Sequence, residues 1–151
     1  MANSSVRLKS GRIVIFWRDA HYWLAVLAGP VAWAALHVLG VSHGSQASSP
    51  FVLLLSILVY PCIEEWFFRG TLQPWLRSYA PLVHERFAIS GANLVASISF
   101  AILHLLQHAP IWAVLVFFPS LIFGWSMERF KTLWAPVSLH VFYNAGFFLV
   151  L

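Results

Sequence analysis

Five apolar blocks, at roughly 21–41, 51–69, 87–107, 110–128 and 133–151, fill most of the chain, with only short polar, Pro- or Gly-containing stretches between them. Each is close to the ~20 residues a helix needs to cross ~30 Å of hydrocarbon. Inside lipid a spanning segment must satisfy its own backbone groups, which a helix does and a lone strand does not. The expected fold is therefore an all-α, polytopic integral membrane helix bundle of about five transmembrane helices. Only 9% of residues are charged, against ~25% in soluble domains, so water is not the expected solvent. A length of 151 residues allows one membrane domain, 1–151, in which a helix at about 21–41 precedes a core at about 51–146. The first block is longer than the ~7–15 residue apolar stretch of a cleaved signal and is expected to stay as an anchor. In the third block Ser90, Gly91, Asn93, Ser97 and Ser99 make the first half small and polar, which suits close helix packing.

The nine Lys and Arg residues give the orientation. Arg7, Lys9, Arg12 and Arg18 precede the first helix; Arg69, Arg77 and Arg86 fall around the second connection, and Arg129 and Lys131 around the fourth. Connections 42–50 and 108–109 carry none. Because cationic loops stay in the cytoplasm, we expect a multi-pass protein of the cell (inner) membrane with its N-terminus cytoplasmic. The net charge of +4 then belongs to helix ends, and the eight Trp residues, several near those ends, fit an interfacial belt. A nucleic-acid surface would interleave aromatics with exposed cations, and no such pattern is present. The single cysteine, Cys62, rules out an intrachain disulfide and a thiolate metal cluster.

Chemistry concentrates in three helices. Within the second block, Glu64 and Glu65 stand among apolar neighbours, where an acidic side chain costs roughly 2.5–3.5 kcal/mol to insert. Glu65 and Arg69 are four apart and share a face, which suits an ion pair. Glu64 points about 100° away and is left for other work. The third block ends in Phe100-Ala101-Ile102-Leu103-His104, and the fifth holds His140 and Asn144 one helical turn apart. His21, His37, His43, His84 and His108 read as interfacial or packing residues. Together, Glu64, His104, His140 and Asn144 are the minimum set for adding water to a peptide carbonyl: a base, a partner for the water, and two donors for an oxyanion. No Ser-His-Asp or Cys-His arrangement competes. Counted at ~1.5 Å per residue from position 87, His104 would lie deeper than Glu64 or His140. The crossing is therefore expected to begin later, with part of Ser90–Ser97 in the interface.

These stretches resemble the CPBP family, the CAAX proteases and bacteriocin-processing enzymes also called Abi, whose motifs read EExxxR, FxxxH and HxxxN/D. Glu64 to Arg69, Phe100 to His104 and His140 to Asn144 match them in order, and Met127-Glu128-Arg129 with Leu133-Trp134-Ala135-Pro136 is similar to the usual linker before the last motif. The resemblance implies a glutamic-type intramembrane endopeptidase needing no cofactor. In it Glu64 and His104 would activate water, His140 and Asn144 would stabilise the oxyanion, and Glu65 and Arg69 would shape the site. Members that process prenylated CAAX proteins carry more helices than this chain, so the substrate class implied is a membrane-associated peptide or protein cut near its terminus, with its prenylation left open. The alternatives are a zinc protease using Glu64, His104 and His140, and a non-catalytic peptide-immunity or transport protein. The charge placement makes one topological prediction. A cysteine at Ser45 should react with an impermeant reagent added outside the cell and one at Ser78 should not, and the reverse labelling would overturn the orientation.

Overall fold

The computed structural model describes residues 15–40, 49–106 and 109–151. The connection 42–48, with His43 and Ser45, the N-terminal Arg7, Lys9 and Arg12, and Gln107 and His108 lie outside them. Among the described residues, five helical rods stand where the five apolar blocks were expected. They are α1 (Ala20–Val38), α2 (Pro50–Leu76), α3 (Gly91–His104), α4 (Pro110–Phe130) and α5 (Trp134–Val150). Two of them, α2 and α4, are long and apolar enough to cross a bilayer by length and composition, and α3 and α5 are shorter apolar helices.

The largest difference from expectation is at the second connection. Helix α2 does not end near residue 69 but continues to Leu76, and α3 starts at Gly91 instead of about 87. Between them lie a 3₁₀ turn, Ala80–Val83, and a minimal antiparallel hairpin of β1 (Glu85–Arg86) and β2 (Ile89–Ser90). Ser90 ends the hairpin by capping α3, its side chain accepting from Asn93 N–H at 3.0 Å. A side-chain oxygen in that position satisfies one of the orphan donors of the first turn.

Helix α2 survives two prolines by widening. Its π-helical turns, Leu55–Val59 and Phe68–Leu72, are each followed within two residues by a proline, Pro61 and Pro74. Proline brings no N–H and crowds the carbonyl four residues back. A turn closed at five residues, as in Tyr60 N–H to Leu55 O and Gln73 N–H to Phe68 O, removes that conflict without breaking the rod.

The packing is arranged for lipid. Leu27, Val31, Ile63, Trp66, Ile102 and Phe118 are exposed, whereas Glu65, Arg69, Gln73, Asn93, Ser97, Ser120 and Ser126 are buried. In water that distribution would be unstable, but in a bilayer it gives the apolar side chains their solvent and the polar ones each other. Helices α3 and α4 meet through small residues, with Ala92 and Ala96 fully buried and Gly124 facing Asn93. On the other side α1 lies on α5, where the Tyr22 and Ser138 hydroxyls are 2.8 Å apart and Tyr143 donates to the Ala25 carbonyl.

At one end of the bundle Arg129 holds Asp19 at 2.7 Å and Arg77 holds Glu128 at 2.8 Å. The first pair ties the start of α1 to the end of α4, and the second ties the end of α2 to α4. The hydrogen bond from Arg129 holds the Asp19 carboxyl below the usual carboxylate range. Arg18, Arg86 and Lys131 belong to the same end. Arg69 does not. Its place beside the second connection suggests a loop cation, yet it is fully buried within α2.

The α3–α4 contact has no slack. A Cβ on Gly124 would come within 1.9 Å of the Asn93 side-chain oxygen, and that amide is fixed by its bonds to Leu121 O at 3.0 Å and Ser97 Oγ at 3.1 Å. Gly124→Ala should cost about 1–3 kcal/mol by overpacking. Thermal unfolding in detergent reads this directly, and an unchanged Tm would show that the two helices can separate freely.

Candidate active site

The buried charge on α2 organises the centre of the bundle. Arg69 Nη2 donates to the Ser120 carbonyl at 2.7 Å and to its hydroxyl at 2.5 Å. Arg69 Nε lies 3.3 Å from Glu65 Oε2, giving the ion pair that the four-residue spacing predicts, with both side chains fully buried. The rings of Phe68, Phe100 and Phe123 surround the guanidinium, their centroids 5.2–5.7 Å from it. Such faces add attraction to a desolvated cation.

Glu65 uses its other oxygen on α5. His140 Nδ1–H donates to Glu65 Oε1 at 2.8 Å, and the imidazole stacks on Phe123 with centroids 4.6 Å apart and edges onto Phe100 at 5.9 Å. This bond fixes both the orientation and the tautomer of the ring. Nε2 of His140 therefore faces Glu64, whose Oε2 is 3.6 Å away. His140 is thus held between two glutamates, one buried and one with about a third of its side chain exposed. The neutral ring presents a lone pair at Nε2, and only the imidazolium can donate from that atom.

His104 closes α3. Its Nδ1–H donates to the Phe100 carbonyl at 2.9 Å and its ring lies on Phe100 with centroids 4.5 Å apart. Phe100 therefore touches both histidines. The depth problem raised by the sequence is resolved by where the helices begin. Glu64 is twelve residues from the Leu76 end of α2 and His104 thirteen from Gly91, so both lie ~18–20 Å from the same end. Helix α5 starts deeper, since Leu133 sits against Gly70, 3.3 Å from where its Cβ would be. That offset brings His140 level with Glu65.

Asn144 is positioned by the first π turn of α2. Its Nδ2 donates to the Ser56 carbonyl at 2.9 Å, which occupies one of the two amide N–H bonds and fixes the plane of the other. Among the described residues no group of three or more His, Cys, Asp or Glu side chains is placed to hold a metal ion.

Several contributors escaped sequence reasoning. Ser120 caps Arg69, Phe123 supports His140 and Ser56 holds Asn144. Glu128 anchors a second polar cluster, accepting from Gln73 at 2.8 Å and Ser90 at 2.6 Å and pairing with Arg77. The one available signal was polarity inside apolar helices, and only contact across helices gives it meaning.

Fold and site together define a helical membrane protein built around a buried Glu-Arg-His core. A family model described as Type II CAAX prenyl endopeptidase Rce1-like matches residues 45–146. That span is most of the chain and includes all three motifs, so the chain belongs to this family of membrane peptidases. Neither a curated protein nor a solved structure matches it significantly.

The Glu65–Arg69 pair carries a clear stability prediction. Glu65→Gln leaves Arg69 without its counter-charge, and breaking a buried pair from one side typically costs about 3–5 kcal/mol. The Tm in detergent should fall markedly even where the helices remain inserted. Unchanged thermal stability would mean that Ser120 and the aromatic faces suffice to hold the cation.

Proposed function

We propose that this chain is a glutamic-type intramembrane endopeptidase that hydrolyses a membrane-associated peptide or protein near its terminus, from a cell (inner) membrane location with its N-terminus in the cytoplasm. The observation that carries the reading is the setting of His140 between Glu64 and Glu65. Two adjacent carboxylates receive different environments from one helix. Glu65 is committed to Arg69 and His140, whereas Glu64 keeps an accessible edge.

In the proposed reaction Glu64 is the general base. It takes a proton from a water that His104 helps to orient, and the oxygen attacks the scissile carbonyl. With Nδ1–H committed to the Phe100 carbonyl, the neutral His104 ring offers Nε2 as an acceptor for one hydrogen of that water. Negative charge then grows on the carbonyl oxygen, and His140 and Asn144 are the donors assigned to it. To donate from Nε2, His140 must carry a proton there as well as on Nδ1, and Glu64 and Glu65 stand beside it to balance that charge. The proton held by Glu64 passes to the leaving amine as the C–N bond breaks. No cofactor enters this scheme, and its partners are membrane lipid and a peptide or protein substrate.

The roles separate on kinetics. Glu64→Gln and His104→Ala should each abolish hydrolysis while the purified protein stays inserted and folded, and normal turnover in either would defeat the assignment. Loss of one oxyanion donor typically costs ~10²–10³ in rate with little change in ground-state binding. Asn144→Ala should therefore lower kcat by about that factor and leave KM nearly unchanged. If KM rises with kcat intact, or the bundle unfolds in mild detergent, Asn144 serves substrate binding or the Ser56 contact and not the oxyanion.

A further inference from the structure

The hairpin between α2 and α3 is built against local preference. Its two turn residues, Phe87 and Ala88, have φ of +52° and +62°. A two-residue turn with both positions left-handed is the hairpin type that favours Asn-Gly, because side chains are strained there. This chain puts a phenylalanine at the first of them and leaves it 95% exposed. Strain and apolar exposure at one residue are both unfavourable in water, and neither contributes to the catalytic centre. A tip of this kind makes physical sense where its surroundings are not water.

Neighbouring residues identify those surroundings. Trp75 and Tyr79, in edge contact at 5.2 Å, and Val83 are all exposed. Trp75 lies in the last turn of α2 and Tyr79 and Val83 follow it, so exposed apolar side chains extend beyond the end of the helix. Aromatic side chains are favoured at the headgroup level of a bilayer. The charge at this end has the matching sign. Glu85 is engaged by Arg77 at 3.7 Å, whereas among the described residues Arg86 pairs with no carboxylate. Arg18 and Lys131 add exposed cations at the same end. Exposed aromatics bordered by unneutralised cations match the boundary between acyl chains and anionic headgroups.

We propose that segment 75–88 is a lipid-docking surface in which Phe87 is a wedge, seated below the headgroups of an anionic leaflet, with Arg86 beside it at the phosphate level. The hairpin is coupled to the helix that follows. Gly91 N–H donates to His84 O at 3.1 Å, Ser90 caps α3, and a Cβ on Gly91 would lie 3.1 Å from Leu82 Cα. Seating the tip in lipid therefore sets the depth at which α3 begins.

The test places a single bimane fluorophore on Phe87→Cys in a Cys62→Ser background, with the full chain reconstituted in phosphatidylcholine vesicles containing phosphatidylglycerol. A nitroxide on carbon 5 of the acyl chain should quench the label strongly and aqueous iodide only weakly. Raising the phosphatidylglycerol share should deepen the nitroxide quenching, and adding Arg86→Gln should remove that gain. Strong quenching by iodide with none from the nitroxide would place the tip in water and overturn the proposal. Protection from both quenchers would place it against protein, such as a second copy of this chain, and would overturn it equally. Nitroxide quenching indifferent to phosphatidylglycerol would refute the anionic-headgroup assignment.

Discussion

A guanidinium buried in a bundle solvated by lipid dictates much of this architecture. Arg69 cannot reach water, so the chain must supply what water would have supplied: a counter-charge from Glu65, a carbonyl and a hydroxyl from Ser120, and three aromatic faces. Each of these comes at a fixed height and rotation of its helix. Satisfying one side chain therefore constrains α2 against α4 and brings the Phe100 turn of α3 alongside. Glu65 then passes the constraint to α5 by accepting from His140. The residues proposed for chemistry are placed by a core whose first task is electrostatic.

The same logic extends along the helix pair as a repeat of four. The polar positions are Glu65, Arg69 and Gln73 on α2 with Arg77 just past its end, and on α4 the facing positions are Ser120, Gly124 and Glu128. Arg69 meets Ser120, Gln73 meets the Gly124 carbonyl at 3.1 Å and Glu128 at 2.8 Å, and Arg77 meets Glu128. Residues four apart form one ridge of an α-helix, so a polar ridge of α2 lies along a small-residue and polar track of α4. Lipid offers little hydrophobic drive for helices to associate, and packing with interhelical hydrogen bonds must set their register. Sliding α4 by one turn would detach every rung at once.

The sequence reveals these constraints unevenly. Blocks of membrane-crossing length are a property of single segments, so the five rods and the all-α membrane fold could be read directly. Glu65–Arg69 was legible for the same reason, because both partners sit on one helix at a fixed spacing. Ser120 and Glu128 were not, since their meaning lies in a neighbour 51 and 55 residues away in the chain. The second connection was misjudged because two of its determinants oppose simple periodicity. Pro74 reads as a stop signal, yet a wide turn carries the helix past it, and the short hairpin replaces what looked like the start of a crossing. The motif residues lay in plain view, but the offset start of α5 that brings His140 level with Glu65 is a tertiary fact with no local signature.

The prolines show how a local difficulty acquires a positional role. Pro61 and Pro74 bracket the stretch that carries Glu64, Glu65 and Arg69, and each is relieved by a π turn just before it. A π turn rotates the helix faces on its two sides relative to one another and re-aims its carbonyls. The first of them includes Ser56, whose carbonyl accepts from Asn144. The second includes Arg69 itself and precedes Gln73, so the charged and amide rungs remain on the side facing α4 even though the helix is not uniform between them. An ideal α-helix with the same sequence would drift relative to this arrangement. What proline forces on the backbone is thus also what holds Asn144 by its amide on one side of the glutamate pair and Arg69 against Ser120 on the other.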